Sequence, residues 1–128
     1  MQFSNLGLSS ELSRAVTDLG YESPTPIQEK SIPVVFMGRD IIGSAQTGTG
    51  KTASFTLPMI DILASGRAKA RLPRSLILAP TRELAAQVAD SFEKFSVNNK
   101  LSMALLIGGV SFGDQNASLN KGVDVLIA

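Results

Sequence analysis

Two different hydrophobic periods divide the chain. Over the first 39 residues the apolar positions follow a helical spacing. Leu12, Val16 and Leu19 recur every three or four residues behind Ser9 and Ser10, either of which can cap a helix that Gly20 ends in left-handed geometry. A second helix is predicted from Thr25 towards Gly38. Thr25 suits the N-cap, Pro26 the first helical position and Gln28 the third, with Pro33 as a point for a kink. From Asp40 the pattern changes to short continuous apolar runs, as buried parallel strands require: Asp40–Gly43, Ser75–Ala79, Leu101–Ile107 and Val123–Ala128. Between them lie helix-compatible segments at Lys51–Ala64, Arg82–Phe95 and residues 112–120, the first carrying Pro58, which can bend it. The alternation predicts an α/β fold with a doubly wound parallel sheet and flanking helices over residues 40–128, preceded by two short helices over residues 1–39.

Composition narrows the chemistry. The chain has 128 residues, of which 44% are apolar, enough for one domain with a real core. No apolar stretch approaches the length of a membrane span, and the first ten residues lack a signal-peptide layout. The sequence contains neither cysteine nor histidine, which removes disulfides, thiolate chemistry, Ser-His-Asp catalysis and the common zinc sites. A net charge of +1 leaves no global electrostatic footprint for nucleic acid, so any such binding must be local.

One octet carries specific chemistry: Ala45-Gln46-Thr47-Gly48-Thr49-Gly50-Lys51-Thr52. It lies between a predicted strand and a predicted helix, the context of a phosphate-binding loop. Gly48 and Gly50 allow successive N–H groups to converge on phosphate oxygens, and the following helix adds its positive dipole end. Lys51 would reach the β- and γ-phosphates, and the Thr52 hydroxyl would ligate Mg²⁺. Ala45 replaces the first glycine of the strict pattern with another small residue.

Gly20-Tyr21-Glu22-Ser23-Pro24-Thr25-Pro26-Ile27-Gln28 with Phe3 upstream, the octet 45–52, Pro80-Thr81-Arg82-Glu83-Leu84-Ala85, and Gly108-Gly109 with Gln115 occur in that order. Together they resemble the Q motif, motif I, motif Ia and GG element of the DEAD-box ATP-dependent RNA helicases, across essentially the whole chain. In that family alanine is usual at the first position of motif I. The resemblance implies the N-terminal part of a RecA-like P-loop domain, with ATP and Mg²⁺ as cofactors, RNA as partner, and a cytoplasmic location. It implies nucleotide contacts from Phe3, Tyr21, Gln28 and residues 45–52. RNA-backbone contacts independent of sequence would come from Pro80, Thr81, Arg82, Gly108, Gly109 and Gln115. The protein as a whole would couple ATP hydrolysis to unwinding of short RNA duplexes.

Each residue also has a plainer role. Gln28 three positions after Thr25 completes a capping box, while its amide can equally pair with adenine N7 and N6. Phe3 can stack on a base or anchor the first helix. Thr81 can cap a helix whose amides form an anion site beside Arg82, or the arginine can simply be solvated. Gly108-Gly109 permits close approach of a sugar–phosphate chain or a simple turn. Arg67, Lys69, Arg71 and Arg74 read as a solvated linker more readily than as an RNA patch.

Hydrolysis requires an acidic residue at the end of an apolar strand to hold Mg²⁺ through its water shell. None of the eleven Asp and Glu residues is so placed: Asp40 precedes its strand, Asp61 and Asp90 fall in helices, and Asp124 sits in the terminal apolar run. The family's Asp-Glu-Ala-Asp and Ser-Ala-Thr motifs are absent from these residues, so the chain reads as a fragment that is not hydrolytic alone and that can self-associate through an exposed sheet edge. The alternatives are another P-loop enzyme, such as a small-molecule kinase, and a non-catalytic module that binds nucleotide or a partner.

Overall fold

The computed structural model describes residues 2–46, 50–65, 74–99, 101–106 and 124–128. Ser9 starts the first helix, α1 (Ser10–Asp18), by accepting the Leu12 N–H at 3.2 Å. Gly20 ends it with φ of +88°, a conformation costly for any residue with a Cβ. Leu12, Ala15 and Val16 form its buried stripe, against which a single 3-10 turn, Phe3–Leu6, also packs. Thr25 begins α2 (Pro26–Phe36), which runs without interruption through Pro33.

The remaining helices are α3 (Lys51–Ser65) and α4 (Arg82–Phe95). On α4 the buried positions are Ala85, Val88, Ala89, Phe92 and Phe95, a stripe of helical period. Three short strands, β1 (Ser75–Ile77), β2 (Met103–Leu105) and β3 (Val125–Ile127), pair in parallel in the order β1-β3-β2. Their register aligns Ser75, Met103 and Val125, then Ile77, Leu105 and Ile127, on one face. Val125 and Ile127 are fully buried there and join Leu12, Ile32, Leu57, Ile60 and Phe92 in one core. That core draws on residues from both sides of position 40. On the other face Leu76 is exposed, as is Leu78 just beyond β1.

Two expectations need correction. Asp40–Gly43 is not a strand: the segment is irregular, and the Ile42 side chain stands wholly in solvent. An apolar run becomes a strand only where a neighbour satisfies its backbone, and no strand among the described residues lies alongside it. Arg74 is not a solvated linker residue. It is half-buried, bonded through Nη2 to Asp124 Oδ1 at 3.0 Å and to the Leu63 carbonyl at 2.6 Å. Asp124 Oδ2 in turn accepts the Ser102 N–H at 3.0 Å. These bonds tie the N-terminal ends of all three strands to the last turn of α3. The predicted helix over residues 112–120 and the basic residues Arg67, Lys69 and Arg71 lie outside the described residues.

Candidate nucleotide and nucleic-acid site

Parallel α/β sheets place their ligands at the carboxyl ends of the strands. At that edge β1 runs into Leu78 and Ala79, and a cavity of about 510 Å³ opens between the starts of α3 and α4. Gly50, Lys51 and Thr52 line one side, and Leu84 and Gln87 line the other. Lys51 is exposed at the first position of α3, where it can present its charge to an anion together with the helix's unpaired amides. Thr52, half-buried one residue on, offers a hydroxyl oxygen. Gly50 has φ of +80° and so needs to be glycine. The donors and cation at this helix start fit a polyphosphate, and the hard oxygen of Thr52 fits Mg²⁺ shared with phosphate oxygens.

Of the rest of the octet, Ala45 is half-buried and Gln46 exposed, while Thr47, Gly48 and Thr49 lie outside the described residues. Ala45 and Ser44 border a smaller cleft of about 230 Å³ with Pro26, Ile27 and Lys30, which places the incoming arm of the loop against the start of α2.

Gln28 is buried, with 2% of its surface exposed. Its Oε1 accepts the Thr25 N–H at 2.9 Å, the capping contact expected from the sequence. The reciprocal half is loose, since Thr25 Oγ1 is buried without a hydrogen bond. Gln28 Nε2 donates to the Gly50 carbonyl at 3.2 Å, a contact that sequence spacing does not reveal. A backbone donor faces one end of the amide and a backbone acceptor the other, so its orientation is unambiguous.

Phe3 is buried in the core, and its ring stands edge-on to that of Tyr21 at 6.4 Å. Tyr21 is 45% exposed and also leans on Phe95 at 5.6 Å. The anchoring role is therefore visible for Phe3, while Tyr21 has the larger accessible ring. Both border a separate cavity of about 450 Å³ with Ser13 and Thr17. Gln28 does not line that cavity.

Thr81 caps α4 by accepting the Leu84 N–H at 3.1 Å. Pro80, Thr81 and Arg82 are all exposed at the same edge of the sheet as Lys51. Gly108, Gly109 and Gln115 lie outside the described residues. Sequence reasoning missed the apolar wall contributed by Phe55, Ile77, Leu78 and Val88. Phe55 lies one helical turn after Lys51, a spacing that could have signalled it. Among the described residues no group of three or more acidic side chains could hold a metal by itself, and no helix is long and apolar enough to cross a membrane.

Comparison with known proteins bears on family and fold. The family model for the DEAD/DEAH box helicase matches residues 25–128. The ATP-dependent rRNA helicase rrp3 of Aspergillus terreus is 46% identical over 98% of this chain, and the ATP-dependent RNA helicase DeaD of Klebsiella pneumoniae is 43% identical over the same share. The chain spans 28% and 19% of the length of these two relatives. Among solved structures, a DEAD box protein from Methanococcus jannaschii superposes with a TM-score of 0.90 at 38% identity, covering 99% of this chain and 34% of that one. The RNA helicase Prp28 of Chaetomium thermophilum, bound to ADP, gives a TM-score of 0.91 at 38% identity, covering 99% and 31%. The fold is therefore that of a RecA-like helicase domain, and the chain belongs to the DEAD/DEAH box helicase family.

Proposed function

We propose that this chain supplies the ATP-binding and part of the RNA-binding surface of an ATP-dependent RNA helicase. The observation that carries the reading is the convergence of two helix starts at one sheet edge. One bears Gly50-Lys51-Thr52 and the other Thr81-Arg82. The relatives' names specify ATP and RNA, and the neighbour from Chaetomium thermophilum is bound to ADP.

In this reading Lys51 holds the β- and γ-phosphates as a point charge, helped by the amides that open α3. Bound Mg²⁺ would offset phosphate charge, with the Thr52 hydroxyl as its protein ligand. Gln28 keeps one N–H and one acceptor position of its amide beyond the two bonds already made, enough for the N6–N7 edge of adenine. Phe3 and Tyr21 supply aromatic surface near the first helix. Arg82, the exposed start of α4, and Gly108-Gly109 would contact the RNA backbone, which carries no sequence information.

The test is RNA-stimulated phosphate release by the full-length protein that carries this chain, with ATP and GTP compared. Turnover with ATP, stimulated to similar extents by unrelated single strands and lost in Lys51→Ala, is the expected result. Equal use of GTP would remove the Gln28 assignment, and stimulation by one RNA sequence alone would remove the backbone assignment.

A further inference from the structure

Pro58 lies in the interior of α3 and is fully buried. Having no N–H, it cannot donate to the carbonyl one helical turn back, that of Ser54. The consequence reaches the helix start. Peptide groups in an α-helix form hydrogen-bonded chains along the axis, each member polarising the next. The peptide that carries the Thr52 N–H also carries the Lys51 carbonyl, which takes the Phe55 N–H in the regular pattern of the helix. The peptide of that N–H carries the Ser54 carbonyl, whose next donor would be position 58. The chain behind the Thr52 N–H is therefore cut short at Pro58. The chains behind the Lys51 and Ala53 N–H groups pass through Leu57 and Met59 instead and are not cut. All three amides precede the first helical bond of α3, from the Ser54 N–H to the Gly50 carbonyl at 3.3 Å. They lie where Gly50, Lys51 and Thr52 line the cavity.

The Ser54 side chain acts on the interrupted chain. Its hydroxyl, on a residue only 8% exposed, donates to the Lys51 carbonyl. That bond falls on the very peptide whose N–H is that of Thr52, and it supplies polarisation that a donor at position 58 would otherwise have passed along. Thr56, fully buried, makes a similar bond to the Thr52 carbonyl at 2.8 Å, but on a chain that is already continuous. Local folding asks nothing of Ser54. Alanine is the better helix former there, and a hydroxyl turned back onto its own helix slightly destabilises it.

Resting on the phosphate reading above, we propose that Ser54 is a positioning residue for the phosphate site, restoring to the Lys51–Thr52 peptide the polarisation that Pro58 withdraws. The Thr52 N–H then takes its full part in the row of amides that α3 presents to an anion. The effect is on phosphate and not on a base, so a ligand without a base feels it equally.

The experiment titrates the full-length protein by calorimetry with inorganic tripolyphosphate and Mg²⁺, and separately with ATP and Mg²⁺. Ser54→Ala should weaken both ligands by a similar factor, about 1.5–4-fold, since each bond in a chain strengthens its neighbour by roughly 10–30% and bonds to charged groups are the strong ones. The melting temperature of that variant should be unchanged or higher. Pro58→Ala returns the missing N–H, so Ser54→Ala should cost less affinity in that background than in the wild type. Unchanged tripolyphosphate affinity in Ser54→Ala overturns the proposal and leaves the phosphate reading intact. An affinity loss matched by a fall in melting temperature makes Ser54 a purely structural residue and overturns it too, as does an equal loss in the Pro58→Ala background. If Pro58→Ala does not fold, affinity and melting temperature in Ser54→Ala decide by themselves. A wild type that binds no tripolyphosphate removes the phosphate reading and this proposal together.

Discussion

At the scale of single residues, the side chain proposed to meet phosphate and the one that joins two helices are different, and each can be tested alone. Lys51 is exposed at a helix start, and its aliphatic stem is not needed by the core. Lys51→Ala should therefore abolish phosphate release in the full-length protein while shifting its melting temperature little; a steady-state assay paired with a melt separates the two effects. Asp61 is the opposite case. It accepts both the Ser9 N–H at 2.7 Å and the Ser9 hydroxyl at 2.6 Å, tying the cap of α1 to α3. Asp61→Ala leaves both Ser9 donors without their acceptor. The expected cost is about 1–3 kcal/mol, read as a lower denaturation midpoint with an unchanged slope. The role proposed for Lys51 is legible in the sequence because glycines, lysine and threonine occupy one contiguous octet. The Asp61 role is not, because it depends on a partner 52 residues away.

At the scale of elements, helix starts were legible to within a residue, as was the parallel sheet, and the fate of Asp40–Gly43 was not. Ser9, Thr25 and Thr81 each begin a helix where the sequence places them, since a cap and its amides lie within one turn. Pro33 and Pro58 lie inside helices that continue through them. Packing on α2 and α3 outweighs the one backbone bond each proline removes. Asp40–Gly43 fails as a strand because an apolar run says nothing about its neighbour. Arg74 was misread for a related reason: its partners, Asp124 and Leu63, come from other elements. The exposed pair Asp90–Lys94, 3.0 Å apart on α4, contributes little by comparison because water screens both ends. Arg74→Ala should lower stability by about 1–3 kcal/mol, since it leaves a half-buried carboxylate and a helix-end carbonyl short of donors. Amide exchange should accelerate first at Ser102 and Ser75, and a variant with wild-type exchange there would show that the clamp does not hold the strand ends.

At the scale of the whole molecule, the stabilising clamp and the candidate site occupy opposite ends of one sheet. Arg74, Ser102 and Asp124 precede their strands, whereas the residues proposed to meet phosphate and RNA lie where β1 ends. That separation lets the ligand-facing edge stay open without loosening strand registry. It also determines what these 128 residues can do alone. Phosphoryl transfer is accelerated almost wholly by positioning and by stabilising charge. Lys51 and Thr52 supply part of that, but β1 and β2 run out into Leu78-Ala79 and Leu106, with no carboxylate among those residues to hold Mg²⁺ through its water shell. Asp61 and Asp124 are committed to Ser9 and to Arg74. Glu83, exposed in the first turn of α4, favours that helix's dipole and does not follow directly from a strand. No described arginine lines the cavity beside Lys51, and an arginine finger can be worth ~10³–10⁵ in rate. The isolated 128 residues should therefore show no RNA-stimulated ATP turnover. A coupled assay with and without single-stranded RNA checks this, using Lys51→Ala as the control for contaminating enzyme. Turnover that survives purification and disappears in that variant would mean that phosphate positioning by α3 alone suffices for hydrolysis.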